Sequence, residues 1–105
     1  ERQQMRQSIA GIAAFGDALI SLSSVGIAPA MDFLADSGEP EFAYKTGDPS
    51  FNAATSALGV PAITIPKMAA QQMPLGVQLI GPAHGDWRLA NIAKWLDTEI
   101  PAVAV

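Results

Sequence analysis

Residues 59–82, GVPAITIPKMAAQQMPLGVQLIGP, restrict the fold more than any other stretch of the sequence. Two short apolar runs, residues 62–65 and 75–80, are bounded by prolines and glycines and therefore predict two strands. The nine residues between the runs, PKMAAQQMP, predict a connection too long for a two-residue hairpin turn. The stretch contains no acid, histidine or cysteine and a single base, Lys67, so we expect it to be scaffold rather than a reactive site.

Apolar spacing predicts a helix and a strand near the start of the chain. A stripe of apolar residues at helical intervals predicts a helix over residues 2–15. Residues 18–22 are mostly apolar and precede a glycine and a proline, so they predict a short buried strand that ends at Ser23 or Ser24. Residues 28–47 show no sustained period and predict an irregular connection.

Two further helices are marked by their end residues. In TGDPSFNAATSALGVP, Asp48 is predicted as the N-cap, Pro49 as the first helical residue and Gly59 as the left-handed residue after the helix. Asp86 is predicted to cap the helix in DWRLANIAKWLDTEI, whose apolar stripe and flanking tryptophans predict packing. The order is therefore helix, strand, loop, helix, strand, strand, helix, an α/β unit spanning residues 1–105.

Charge and cysteine content exclude several kinds of site. The formal net charge is −4 and no block of Lys or Arg is present, so we expect no direct nucleic-acid partner. With no cysteine and one histidine, the chain offers no thiol nucleophile and no thiolate or histidine metal cluster, and we expect no metal and no cofactor. No run of about 18 apolar residues predicts a membrane span. The absence of cysteine fits the cytoplasm, which is the location we expect.

Ser23 and Ser24, at the end of a predicted strand, are the first candidates for a nucleophile. A local triad would need His84 and Asp86 as base and orienting acid. The G-x-S-x-G elbow is absent and PAHGDW is typical of a turn into a helix, so the sequence gives this triad no support. The connection also carries four clustered acids, Asp32, Asp36, Glu39 and Glu41. They lack the ligand spacing of a calcium loop and indicate a solvated loop.

Four segments, in this order and at these separations, resemble the C-terminal part of the amidase signature family. They are GDALISLSSVGIAP, TGDPSFNAATSALGVPAITIP, MPLGVQLIGP and GDWRLANIAKWLD, and the similarity runs from Met5 to Asp97. The resemblance implies that the two strands of residues 59–82 are neighbours in a large mixed sheet flanked by helices. It also implies that the protein containing this segment hydrolyses C–N bonds through an acyl-enzyme.

The resemblance places the catalytic Ser, cis-Ser and Lys of the family N-terminal to the matched region, so no catalytic residue is expected in this chain. Ser23 and Ser24 are then not the serines of the family. The three lysines match none of its catalytic positions: Lys45, Lys67 and Lys94. The chain also departs from the family pattern, with Ser23-Ser24 in place of Thr-Pro, Ser56 in place of Asn, and Lys67-Met68 where a Gly usually follows the strand.

We therefore expect the chain to supply strands, a covering helix and part of a pocket wall in a longer amidase. Because sites gather at strand ends in α/β sheets, the predicted pocket neighbours are Ser23, Ser24, Asp48 and Phe51. The expected partners are the remainder of the parent chain and a small amide substrate. The isolated chain, which starts at Glu1 inside a predicted helix as a cut segment would, is expected to be inactive and self-associated. The alternative is a self-contained, non-catalytic binding or oligomerisation module.

Overall fold

The structure, a computed structural model, describes residues 1–11, 14–28 and 49–105. In these ranges the helices are α1 (Arg2–Gly11), α2 (Ala53–Leu58) and α3 (Asp86–Glu99), and the strands are β1 (Leu19–Leu22), β2 (Ala62–Ala70), β3 (Met73–Ile80) and β4 (Val103–Ala104). The predicted order of elements is confirmed, and β4 is an additional strand after the last helix. The first helix is shorter than predicted, since residues 14 and 15 are no longer α-helical. Apart from residue 28, the predicted connection over residues 28–47 lies outside the described residues.

The four strands of the described chain form one mixed sheet in the order β1-β3-β2-β4. β1 and β2 both pair antiparallel with β3, while β4 pairs parallel with β2. The fold is therefore α/β with a mixed sheet, as the sequence predicts. The two strands of residues 59–82 are direct neighbours, with Ile63 opposite Leu79 and Ile65 opposite Val77.

The connection between β2 and β3 differs from the prediction. Ala70 pairs with Met73, so the strands meet at a two-residue turn, and the expected long connection is wrong. Gln71 and Gln72 have φ angles of 52° and 65°, left-handed values of the kind that both central residues of a type I′ turn require. Pro66 does not end β2, because it lies inside a register shift where the interrupted ladder does not need its missing N–H.

The apolar core lies between α3 and one face of the sheet. Leu89 is 1% exposed, Leu79 3% and Ala93 6%. Partly buried side chains pack around them: Ala18, Ile63, Ile65, Ile92 and Leu96. The stripe predicted on the last helix therefore faces the core. The N-cap of this helix is Gly85, so the predicted cap at Asp86 is wrong by one residue, and Asp86 instead lies in the first turn, where a carboxylate suits the helix dipole.

A buried lysine holds the C-terminal end of α3 against β2. Lys67 Nζ donates hydrogen bonds to the carbonyl oxygens of Asp97 at 2.6 Å and Ile100 at 2.7 Å. The same ammonium lies 3.1 Å from Asp97 Oδ1. The last carbonyls of a helix have no partner within the helix and carry partial negative charge, so a lysine is well suited to this position. The strand residue thus fixes where the helix ends.

The face of the sheet that carries the core is open at β1. Ile20 lies opposite the core residue Leu79 and is nevertheless 63% exposed, and Leu22 on the same face is 39% exposed. α3 packs against β2 and β3, while α1 and α2 contain no buried residue. Trp87 and Trp95 on α3 are exposed within the described chain, so the packing predicted for them is not observed.

Candidate functional site

Ser23 and Ser24, two of the predicted pocket neighbours, directly follow β1. The Ser23 amide donates to the Gly76 carbonyl oxygen at 3.2 Å, so the pairing with β3 continues one residue past the strand. Ser24 Oγ donates to the Gly26 carbonyl oxygen at 2.7 Å, which turns the chain locally. Both serines are half-buried. Asp48, the third predicted neighbour, lies outside the described residues.

Phe51, the fourth predicted neighbour, lies in the turn that leads into α2. The amides of Asn52 and Ala53 both donate to the Pro49 carbonyl oxygen at 2.9 Å. The α-helix begins at Ala53, so the predicted start at Pro49 is too early. Its other end is as predicted, since Gly59 follows the helix with a left-handed φ of 64°.

Two side-chain amides join the end of β1 to the start of α2. Gln78 Nε2, on β3, donates to Ser21 Oγ at 3.2 Å and to the Phe51 carbonyl oxygen at 3.0 Å. Asn52 Nδ2 donates to the Ser23 carbonyl oxygen at 3.1 Å. We call these five residues the β1–α2 junction. The structure thus places the segment of Ser23 beside the segment of Phe51.

The junction requires a glycine at the adjacent position of β3. A Cβ on Gly76 would lie 2.5 Å from Thr64 Cγ2 and closer still to Ser23 Oγ, which is far inside normal van der Waals contact. Gly76, Gln78 and Asn52 are not among the residues that the sequence predicts at the pocket. The available signal was the polar Gln78 within the apolar run of β3, since a buried polar side chain in such a run needs a partner.

The described residues do not assemble a Ser/His/Asp triad around Ser23. Ser23 lies beside Gly76, whereas Ile80 is at the opposite end of the β1–β3 ladder. At roughly 3.3 Å per residue, these two ends of the ladder are about 13 Å apart. His84 and Asp86 follow Ile80 beyond that far end, so neither side chain lies near the serine.

The chemistry available at the β1–α2 junction is neutral hydrogen bonding. Its hydroxyl, amide and carbonyl groups suit the positioning of an uncharged polar ligand rather than proton transfer. Within residues 1–11, 14–28 and 49–105, no three acidic or histidine side chains are grouped so that they could hold a metal ion. In the same ranges, no helix combines the length and apolar content needed to cross a membrane.

A groove of about 340 Å³ lies between α1 and α2, away from the junction. Its lining residues are Glu1, Arg2, Met5, Ala54, Ala57 and Leu58. Arg6 Nε donates to the Leu58 carbonyl oxygen at 2.5 Å, so the groove borders the C-terminal end of α2, whereas the junction lies at its N-terminal end. The sequence did not predict this groove.

The chain is similar to the A subunit of glutamyl-tRNA(Gln) amidotransferase from several animals. It is 32% identical over 73 residues to the mitochondrial protein of Rattus norvegicus, a match that covers 69% of this chain and 13% of the relative. It is 29% identical over 102 residues to the mitochondrial protein of Homo sapiens, covering 93% of this chain and 19% of the relative. The chain thus spans less than a fifth of the length of these relatives. No family model matches it.

The fold is similar to that of a solved structure. The crystal structure of the corresponding glutamyl-tRNA(Gln) amidotransferase protein from Thermotoga maritima superposes with a TM-score of 0.74 at 22% sequence identity. The superposition covers 95% of this chain and 21% of that one. The arrangement of helices and mixed sheet described above is therefore the arrangement of a segment of that protein.

Proposed function

The chain is a homologue of a segment of the A subunit of glutamyl-tRNA(Gln) amidotransferase, of the amidase signature family, and from this premise we propose that it is the C-terminal segment of a C–N hydrolase. The observation that carries the proposal is similarity along 93% of this chain to a relative about five times as long. Because the match covers one part of the relative, the remainder of a parent chain is the first partner that we propose.

In this proposal the chain contributes scaffold and pocket wall, and the reacting groups lie elsewhere in the parent protein. The catalytic Ser, cis-Ser and Lys of the family form the acyl-enzyme from outside this segment. Ser23, Ser24, Asp48 and Phe51 are the pocket neighbours, and the substrate is a small amide. The support from the described residues is the β1–α2 junction, which joins the segments of Ser23 and Phe51 through neutral hydrogen bonds. The cytoplasm remains the predicted location.

The test uses the full-length protein that carries this chain. Ammonia release from a panel of small amides, including glutamine, is measured, and the acyl-enzyme is trapped with an electrophilic amide analogue and located by peptide mass spectrometry. The expected result is turnover with the label outside these 105 residues. A label on Ser23 or Ser24 would contradict the proposal, as would an absence of turnover across the panel.

A second arm separates pocket lining from catalysis. Ser24→Ala removes one neutral hydroxyl, so we expect kcat/KM to change by about tenfold, the order of one polar contact. A loss on the order of 10⁶ would instead identify a nucleophile. The matched control is Ser8→Ala on the exposed face of α1, where the hydroxyl donates only to the Gln4 carbonyl oxygen of its own helix, and kcat/KM should not change.

We further propose that the isolated 105-residue chain is inactive and self-associates. Exposed apolar side chains on the edge strand β1, Ile20 and Leu22, support self-association, because an open apolar edge favours pairing with another chain. This outcome also distinguishes the segment from a self-contained module. A concentration-independent monomer that unfolds cooperatively with a stability above about 5 kcal/mol would favour the module.

A further inference from the structure

We propose that Gln78 is a positioning residue that fixes the β1–α2 junction and so preforms the pocket wall. This inference rests on the proposed function, since it assumes that the segments of Ser23 and Phe51 line the substrate site. Gln78 acts through those segments and does not itself need to contact the substrate. Its role is to set the distance between the end of a strand and the start of a helix.

The first argument is the connectivity of one buried amide. Gln78 is 3% exposed, and its Nε2 uses both N–H groups, one on Ser21 Oγ of β1 and one on the Phe51 carbonyl oxygen before α2. These partners are 57 and 27 residues away along the chain. A single side chain therefore joins three segments that the backbone does not hold together at this point.

The second argument is the absence of an apolar alternative. α2 contains no buried residue, so apolar packing does little to locate this helix on the sheet. In the described chain, the ties that hold its N-terminal end are the Gln78 bond to Phe51 and the Asn52 bond to the Ser23 carbonyl oxygen. The Asn52 bond is exposed to solvent, whereas the Gln78 bond is shielded, so loss of Gln78 should loosen the junction more.

The expected functional consequence is a change in substrate binding more than in chemistry. Small displacements of positioning groups weaken the alignment of substrate, while the reacting groups of the parent protein stay intact. We therefore expect Gln78→Met, which keeps side-chain length and removes both donors, to raise KM about tenfold with kcat within about twofold. A residue needed only for folding would instead lower the active fraction and leave KM unchanged.

The experiment compares Gln78→Met with Gln7→Met in the full-length protein, since Gln7 is an exposed residue of α1 and undergoes the same chemical change. Hydrogen exchange by mass spectrometry is measured together with kcat and KM for the best amide of the panel. The expected result is faster exchange in residues 19–28 and 49–58, unchanged exchange in α3, a higher KM for Gln78→Met, and wild-type behaviour for Gln7→Met. A wild-type KM for Gln78→Met overturns the inference.

Ser21→Ala serves if Gln78→Met does not fold. It removes one acceptor and retains the bond to Phe51, so we expect a smaller rise in KM, about threefold, with local exchange confined to the same segments. Wild-type KM in this variant overturns the inference. Absence of amide turnover in the wild-type protein would count against the proposed function alone, because the exchange pattern still reports whether Gln78 holds the junction.

Discussion

The C-terminal and N-terminal parts of the molecule are held together by different forces. β2, β3 and α3 share a core in which Leu79, Leu89 and Ala93 are each less than a tenth exposed. β1, α1 and α2 are joined to that unit by strand pairing, the β1–α2 junction and arginine contacts at the end of α2, with no buried residue in either helix. Apolar burial thus makes one part self-supporting, while polar contacts align the other and leave its apolar surface open.

The largest expected effect tests whether the core is confined to the C-terminal part. Leu89→Ala should destabilise the chain by about 2–5 kcal/mol, because the removed atoms leave a cavity in a fully buried site. The matched control is Leu22→Ala on the open part of the same sheet face, which should cost less than about 1 kcal/mol. Urea unfolding followed by circular dichroism measures both. Equal losses would show that the two parts are packed alike.

The next largest effect concerns the polar contact within the C-terminal part. Lys67→Met retains much of the side-chain volume and removes the hydrogen bonds to the carbonyl oxygens of Asp97 and Ile100. We expect a loss of about 2 kcal/mol, the order for hydrogen bonds to a charged group. Lys94→Met, at an exposed position of the same helix, is the control. If Lys67→Met leaves the urea midpoint unchanged, apolar packing alone holds α3.

A smaller effect is expected from crowding in the N-terminal part. Gly76→Ala places a Cβ 2.5 Å from Thr64 Cγ2, and we expect a cost of about 1–2 kcal/mol, at the low end for overpacking because the half-buried Ser23 side chain can rotate away. The strain should appear as faster hydrogen exchange near Ser23 and Asn52 and not in α3. Uniformly faster exchange would show that the two parts unfold together.

The smallest effect on stability belongs to the open face. Ile20→Thr keeps a β-branched side chain on β1, and since Ile20 is 63% exposed we expect the free energy of unfolding to change by no more than about 0.5 kcal/mol. Self-association of the isolated chain should nevertheless weaken, as measured by light scattering across a concentration series. An unchanged apparent mass would place the contact between copies elsewhere on the surface.

The sequence predicted the parts of the fold that depend on apolar periodicity and on glycine. The stripe on α3 and the left-handed Gly59 are both present, because each pattern has few alternative structures. The hairpin was missed because Gln71 and Gln72 are not the Asn-Gly or Asp-Gly pair that usually marks such a turn, and Pro66 suggested a strand end. The two-residue β4 is too short to produce any period.

The candidate site was less accessible to prediction than the fold. Strand-end reasoning selected Ser23 and Phe51, whose segments lie side by side in the structure. It did not select Gln78 or Asn52, because their hydrogen-bond partners are distant in the sequence and no local pattern identifies them. The ends of helices raise the same difficulty, since the residue that satisfies the last carbonyls of α3 belongs to another element.

The enclosure of Lys67 makes this residue a chemical reporter of the native state. Its side chain is 11% exposed and its ammonium is occupied by α3, whereas Lys94 is exposed on the same helix. An amine-reactive reagent applied to folded protein should modify Lys94 rapidly and Lys67 slowly, and the two rates should converge once α3 detaches from β2. The ratio of the two adducts, read from a single digest, would then count the molecules in which strand and helix are still engaged.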